Sequence, residues 1–91
     1  MEFGAAVKYG PLKEHLLAIS EDRYEVTLSF RQLEAILGFD LPKSAVDYRQ
    51  WWGNQRDAKG RSQAEAWLAA GFLVDGVQLR KPGGSVRFRR K

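Results

Sequence analysis

The chain has 91 residues, enough for one small domain, and 44% of them are hydrophobic. It contains no cysteine, which excludes a disulfide framework and a thiolate metal site. Residues 1–40 carry four basic and seven acidic groups, whereas residues 41–91 carry eleven basic and four acidic groups. A basic half in a small protein favours a polyanionic partner, although an arginine-rich solvated surface would have the same composition.

The first eight residues show neither a helical nor a strand period. We interpret residues 1–8 as a flexible leader and residues 9–91 as a single small domain. The leader lacks the apolar run of a signal peptide, and no segment approaches the roughly 18 apolar residues of a membrane span. These features predict a soluble, cytoplasmic protein.

Local signals divide the first half of the domain into helices and a strand. Pro11 begins the first predicted helix, whose apolar residues recur at helical spacing. Residues 24–29 alternate between apolar and polar side chains, which predicts a short, half-buried strand. Ser29 and Gln32 match a capping box for the next helix, and Gly38 is its expected C-terminal stop.

A further helix is predicted after a short turn, from Pro42 to the tryptophan pair. Its buried face would use Ala45, Tyr48 and one of the two tryptophans. Two helices joined by a short turn that contains glycine match the helix-turn-helix plan, although many αα-hairpins share this pattern.

The second half of the chain predicts a loop, a helix and a small sheet. Residues 53–60 are polar, and Ser62 begins a second capping box before the last helix. Residues 72–79 predict a hairpin with a type I′ turn at their Asp-Gly pair, and residues 86–89 predict a final strand. The sum is an α+β fold that is winged helix-turn-helix-like, with three to four helices and a small antiparallel sheet.

The adjacent tryptophans, Trp51 and Trp52, point to a binding surface. Neighbouring side chains on a helix or a strand point in different directions, so we expect one ring to anchor in the core. Which of the two is buried stays open. Around them lie side chains that contact phosphates, stack on bases or bond base edges. We predict nucleic-acid contacts from Arg49, Gln50, Trp51, Asn54, Arg56, Lys59, Arg61, Ser62 and Gln63.

Two further groups of residues are candidates for the same interface. Lys43 and Ser44 begin the predicted recognition helix, the part of a helix-turn-helix that meets the bases. An ordinary solvent-exposed face is the alternative. Arg87 and Arg89 are two apart on a strand, share a face, and are predicted to contact the phosphate backbone. Residues 90–91 belong to the same basic end, and a merely solubilising tail is the alternative for them.

No catalytic arrangement is apparent in the sequence. His15 is the single histidine, and no cysteine is present that could share a metal ion with it. The carboxylates show no spacing typical of a catalytic pair, and no nucleophile lies beside a base in a known pattern. We therefore expect a binding protein that is not an enzyme and uses no metal and no cofactor.

A set of short motifs runs through most of the chain. The motif Trp-Trp-x-Asn is followed by Gln-Ala-x-x-Trp-Leu, at residues 51–54 and 63–68. The chain also carries Tyr9-Gly10-Pro11-Leu12, Val26-Thr27-Leu28-Ser29-Phe30, Leu33-Glu34, Ile36-Leu37-Gly38, Leu41-Pro42, Ser44-Ala45, Gly71-Phe72 and Val86-Arg87-Phe88. In these motifs it resembles a widespread family of small bacterial and phage domains. Such domains occur alone and beside restriction-type nuclease domains, and this resemblance implies DNA binding but no catalytic residue.

These observations predict a module that binds DNA, double-stranded in the first instance, with some influence of sequence. It would act as a regulator or as a targeting domain in defence or mobile-element biology. The alternative is a protein-interaction domain, such as an antitoxin, an inhibitor or a complex subunit, because an exposed tryptophan beside arginine is also typical of an interface hot spot. No membrane partner is expected, and a homodimer stays open.

Overall fold

A small antiparallel sheet with helices on one face forms the framework of the computed structural model, which describes residues 8–54, 63–79 and 83–91. The predicted α+β class is confirmed. No helix among these residues is long and apolar enough to cross a membrane. Their elements are, in chain order, α1 (Gly10–Leu17), β1 (Glu25–Ser29), α2 (Phe30–Leu37), α3 (Lys43–Asp47), a 3₁₀ helix (Arg49–Trp52), α4 (Gln63–Ala69), β2 (Phe72–Gln78) and β3 (Ser85–Arg90).

The ends of α2 follow the local signals in the sequence. The Ser29 hydroxyl accepts a hydrogen bond from the Gln32 backbone N–H at 3.0 Å, and the Gln32 side chain accepts one from the Ser29 N–H at 2.8 Å. The predicted capping box is therefore confirmed. Gly38 ends the helix with φ at 84°, a left-handed conformation that favours glycine.

The strand β3 lies in the centre of the sheet, whose order is β1-β3-β2 with both pairs antiparallel. The predicted hairpin with a turn at Asp75-Gly76 is wrong, because β2 continues through both residues. Val74 lies opposite Phe88 and Gly76 lies opposite Arg87, so Asp75 is the extra residue of a β-bulge.

The bulge has a physical reason in the spacing of the apolar residues. Phe72 and Val74 are two apart and face the core, but Val77 is three further on and would face solvent in a regular strand. One extra residue restores the alternation, so Val77 lies opposite the buried Val86. The chain reversal predicted within residues 72–79 instead lies between β2 and β3.

The core lies between the sheet and the helices. Its fully buried side chains include Trp67 from α4, Phe72 from β2, and Phe88 and Val86 from β3. On the opposite side, α1 and α2 contribute buried leucines, and α1 packs against both α2 and α4. The inner face of the sheet is thus covered, whereas the outer face carries mostly polar side chains, of which Thr27, Gln78 and Arg87 are exposed.

A close backbone contact joins the β2–β3 connection to α2. Gly84 is buried, its carbonyl accepts a hydrogen bond from the Phe30 N–H at 2.9 Å, and a Cβ placed on it would lie 2.3–2.7 Å from Phe30 ring atoms. We expect Gly84→Ala to lower the free energy of unfolding by about 1–3 kcal/mol, because the ring must shift within a packed core. Urea unfolding followed by tryptophan fluorescence measures this change.

The neighbouring glycine supplies the control. Gly83 is exposed, and a Cβ placed on it would meet no atom within 4 Å. Gly83→Ala should therefore leave the unfolding midpoint close to that of the wild type. Equal midpoints for Gly84→Ala and the wild type would contradict the contact with Phe30.

Candidate nucleic-acid interface

The tryptophan pair divides between the core and the surface. Trp52 is 2% exposed, its ring stacks on Phe30 at 5.9 Å and on Trp67 at 5.8 Å, and its indole N–H donates to the Ala45 carbonyl at 2.9 Å. Trp51 is half-buried and meets Trp52 edge to face at 4.7 Å. The prediction of one core anchor is confirmed, and the anchor is Trp52.

The backbone breaks between the first turn of the predicted recognition helix and this pair. The prediction of one continuous helix is wrong, because α3 ends at Asp47, Tyr48 is extended (φ −126°, ψ 123°) and a 3₁₀ helix follows. The break lets Trp52 enter the core while Trp51 packs on Tyr9, at 5.9 Å. As a consequence the Tyr48 ring, predicted to be buried, points outward and is 58% exposed.

The amide of Asn54, predicted to contact bases, is engaged within the fold. Its Oδ1 accepts hydrogen bonds from the Trp67 indole N–H at 2.9 Å and from the Val74 N–H at 2.8 Å. Its Nδ2 donates to the Val74 carbonyl at 2.9 Å. The side chain thus pairs with the free edge of β2 as a neighbouring strand would, and joins that edge to α4.

Two other residues that are predicted to contact nucleic acid, Gln63 and Arg49, also form hydrogen bonds with the backbone. Gln63 is 7% exposed, and its Nε2 donates to the Trp51 carbonyl at 3.2 Å. Arg49 is exposed, and its guanidinium donates to the Val77 carbonyl at 3.1 Å, further along the same edge of β2. The arrangement leaves Arg49 accessible to a ligand, whereas burial removes most of Gln63 from solvent.

An exposed surface remains along α3 and the 3₁₀ helix. We name it the α3 edge, and its members are Lys43, Ser44, Tyr48, Arg49 and Gln50, all exposed. Lys43 Nζ lies 2.9 Å from Asp47 Oδ2, and this hydrogen bond raises the pKa of Lys43. Such an exposed pair is weak, so the lysine stays available to a competing anion.

Arg87 and Arg89 lie on the outer face of the sheet, as their spacing predicts. Arg87 Nη2 lies 3.4 Å and Arg89 Nε 3.6 Å from Asp75 Oδ2, and Arg87 Nε lies 3.8 Å from Glu25 Oε1. The carboxylate of the bulge residue therefore lies near both arginines. Their positive charge is partly balanced before any ligand arrives.

Arg90 has a structural position. Its guanidinium donates to the carbonyls of Ile19, Ser20 and Arg23 at 2.9–3.0 Å and lies 4.7 Å from the centre of the Phe72 ring. These bonds fasten the end of β3 to the segment between α1 and β1. The alternative of a merely solubilising tail is wrong for Arg90 because β3 includes it.

The family of the chain follows from comparison with known domains. A family model described as Domain of unknown function (DUF7662) matches residues 9–91. The chain belongs to this family. No curated protein and no solved structure matches the chain. Membership agrees with the resemblance to a family of small domains, whereas the diagnostic motif and the nuclease neighbours stay predictions.

Four predicted contact residues of this DUF7662 domain, Arg56, Lys59, Arg61 and Ser62, lie outside the described residues, as does the start of the second capping box. Among the residues that the structure describes, no group of three or more histidine or carboxylate side chains is placed to bind a metal ion. His15 is exposed on α1.

Sequence reasoning missed two exposed residues of this DUF7662 domain. Helical spacing predicts Tyr48 on a buried face, and only its position between polar residues 47 and 49 indicates exposure. The sequence pattern predicts Gln78 in the second strand of a hairpin, but it ends β2 on the outer face, opposite Ser85. Its alternation with the inward-facing Val77 is the signal that could have identified it.

Proposed function

We propose that this chain is a DNA-binding domain that contacts a duplex with the α3 edge and the β2–β3 hairpin, in a winged helix-turn-helix-like plan. The order of the elements supports this plan: a helix, a strand, three further α-helices and, at the end, an antiparallel hairpin in one sheet with β1. The α3 helix has five residues, so the contact surface includes the extended Tyr48 and the 3₁₀ helix after it.

The observation that carries the proposal is that all five side chains of the α3 edge are exposed on a segment that is fixed rigidly to the core. Trp52 fixes the segment to the core through two stacked rings and a hydrogen bond to Ala45. A surface that is fixed before binding loses little conformational entropy when it meets a ligand. The α3 edge offers two cations, a hydroxyl, an amide and an aromatic ring, which are the groups that contact phosphates, base edges and base faces.

In this proposal, Tyr48 and the residues predicted to contact nucleic acid have different roles. Lys43 and Arg49 contact phosphates, Ser44 and Gln50 lie against base edges, and Tyr48 packs on a base or a sugar. Asn54 and Gln63 act as positioning residues, since their amides bond within the fold. Arg56, Lys59 and Arg61 keep their predicted phosphate contacts, which the sequence alone supports.

We expect duplex binding to weaken steeply as salt rises, because each phosphate that a cation neutralises releases counterions. Three or more such contacts lower the affinity by roughly tenfold or more between about 50 and about 200 mM salt. Fluorescence anisotropy with labelled duplex and single-stranded DNA measures this. Lys43→Gln should weaken binding to every sequence and flatten the salt dependence, whereas Lys13→Gln on α1 is the charge-matched control. The absence of binding to either DNA form at about 50 mM salt would overturn the proposal.

A protein-interaction domain is the second candidate, and the exposed Tyr48 beside Arg49 favours it. Tyrosine and arginine are enriched in interface hot spots. A stoichiometric protein partner that copurifies after nuclease treatment, together with a failure of the salt titration, would support this candidate over DNA binding. A role in defence or mobile-element biology, as a regulator or a targeting domain, is part of the first proposal and rests on the resemblance alone.

A further inference from the structure

Two depressions lie on either side of the end of β2. The first, of about 200 Å³, is on the outer face of the sheet, and the second, of about 420 Å³, is at the free edge of β2 beside Arg49. Both are lined by Val77 and Gln78. We name the two together the β2 trough, with Arg49 on one side of Gln78 and Arg87 on the other.

The shape of the β2 trough follows from the sheet register. Gly76 lies opposite Arg87 and contributes no side chain, and Ser85, opposite Gln78, contributes a small one. The helices cover the other face of the sheet, so this depression stays open to solvent. The guanidinium of Arg87 extends across it, within 3.4 Å of where a Gly76 Cβ would lie.

The chemistry of the lining favours an anion. Two guanidinium groups, the Gln78 amide and the hydroxyls of Thr27 and Ser85 can all donate hydrogen bonds, and no carboxylate among the described residues lines either depression. Arg49 takes part in none of the ion pairs among the described residues. An open and donor-rich surface of this kind fits a chain of phosphates better than an enclosed small molecule.

We propose that the β2 trough binds a length of phosphodiester backbone, with Arg49 and Arg87 on separate phosphates and Gln78 between them. This inference rests on the proposed DNA-binding function and adds a specific surface to it. The backbone crosses the end of β2 from its free edge onto the outer face of the sheet. Gln78, which no sequence motif singled out, is the central contact residue.

The positive charge of Arg87 is partly balanced by two neighbouring carboxylates. The Glu25 and Asp75 carboxylates lie 3.8 Å and 3.4 Å from the guanidinium, beyond the usual length of a charge-assisted hydrogen bond. Its Nη2 also donates a hydrogen bond to the Asp75 backbone carbonyl at 3.2 Å. A phosphate can offer shorter and better-aligned bonds, so it displaces the exposed carboxylate of Glu25 at a modest cost and competes with the half-buried carboxylate of Asp75. Removing the charge of Glu25 should therefore strengthen DNA binding, a direction opposite to that of most interface substitutions.

The test compares variants of the full chain for duplex affinity at low salt. Gln78→Glu places a carboxylate in the middle of the trough and should weaken binding by roughly tenfold. Leu17→Glu, on α1, changes the net charge equally and should have little effect, because α1 packs on the covered side of the sheet. Glu25→Gln should strengthen binding by roughly two- to fivefold. Thermal unfolding of each variant verifies that it is folded.

The outcomes separate this proposal from the proposed function. If the wild type binds DNA and Gln78→Glu binds as tightly as Leu17→Glu, the trough proposal is overturned while DNA binding stands. If the wild type binds no nucleic acid, both are overturned. Inorganic phosphate is titrated in parallel by ¹⁵N NMR: shifts of the Gly76 and Gln78 amides with phosphate, but none with duplex, indicate a site for free phosphate and overturn the backbone track.

Discussion

Replacing Trp52 by alanine should lower the free energy of unfolding by about 3–5 kcal/mol, the range for truncating a buried aromatic residue. The ring is 2% exposed and stacks between Phe30 and Trp67, so its removal leaves a cavity that both neighbours line. The Ala45 carbonyl also loses its indole donor. Urea unfolding, monitored by far-ultraviolet circular dichroism, measures the loss.

Trp51→Ala is the matched control because it removes the same side chain from the adjacent position. Trp51 is half-buried and contacts Tyr9 and Trp52 through ring edges, so its removal should cost clearly less. Similar losses for the two variants would contradict the assignment of Trp52 as the core anchor. A greater loss for Trp51→Ala would reverse it.

Signals confined to a few neighbouring residues predicted the local structure well. The cap at Ser29 and the stop at Gly38 depend on hydrogen bonds and dihedral angles within one turn, which the residue types largely decide. The central strand β3 was similarly accessible, because Val86 and Phe88 alternate with arginines. In each case the residues of the element itself determine its local structure.

Features that depend on distant partners were not predictable. The Asp-Gly pair at residues 75–76 favours a hairpin turn locally, but the pairing of β2 with β3 imposes a bulge there instead. The helical period of 3.6 residues places Tyr48 on the same face as Ala45, but the helix ends at Asp47. This break lets Trp51 pack on Tyr9 and Trp52 pack on Trp67. Tertiary contacts decided both outcomes.

The candidate site shows the same division. Composition draws attention to the polar residues around the tryptophan pair, but it cannot tell which of their amides form hydrogen bonds within the fold. Asn54 and Gln50 are four residues apart and equally suited to a base edge by type. The partners of Asn54 come from α4 and β2, twelve or more residues away in the chain, and only the folded structure brings them to it.

Asn54→Ala should lower the free energy of unfolding by about 1–3 kcal/mol, because it leaves the indole N–H of the buried Trp67 without an acceptor and removes two exposed hydrogen bonds to Val74. The Trp67 indole N–H, on a side chain that is 0% exposed, loses its acceptor. At the exposed edge of β2, the Val74 N–H loses its acceptor and the Val74 carbonyl loses its donor. Gln50→Ala removes an exposed amide of the α3 edge and should change stability by less than about 0.5 kcal/mol.

A double-mutant cycle between Asn54→Ala and Trp67→Phe isolates the bond between their side chains. Trp67→Phe removes the indole N–H, so the two losses should be non-additive by about 0.5–3 kcal/mol, as for residues in direct contact. DNA binding then separates positioning from contact. Gln50→Ala, fully folded, should change the preference between duplex sequences, whereas Asn54→Ala, measured where it is folded, should change affinity for all sequences alike. If Asn54→Ala is as stable as the wild type and alters sequence preference, the amide contacts a base and its bonds within the fold are dispensable.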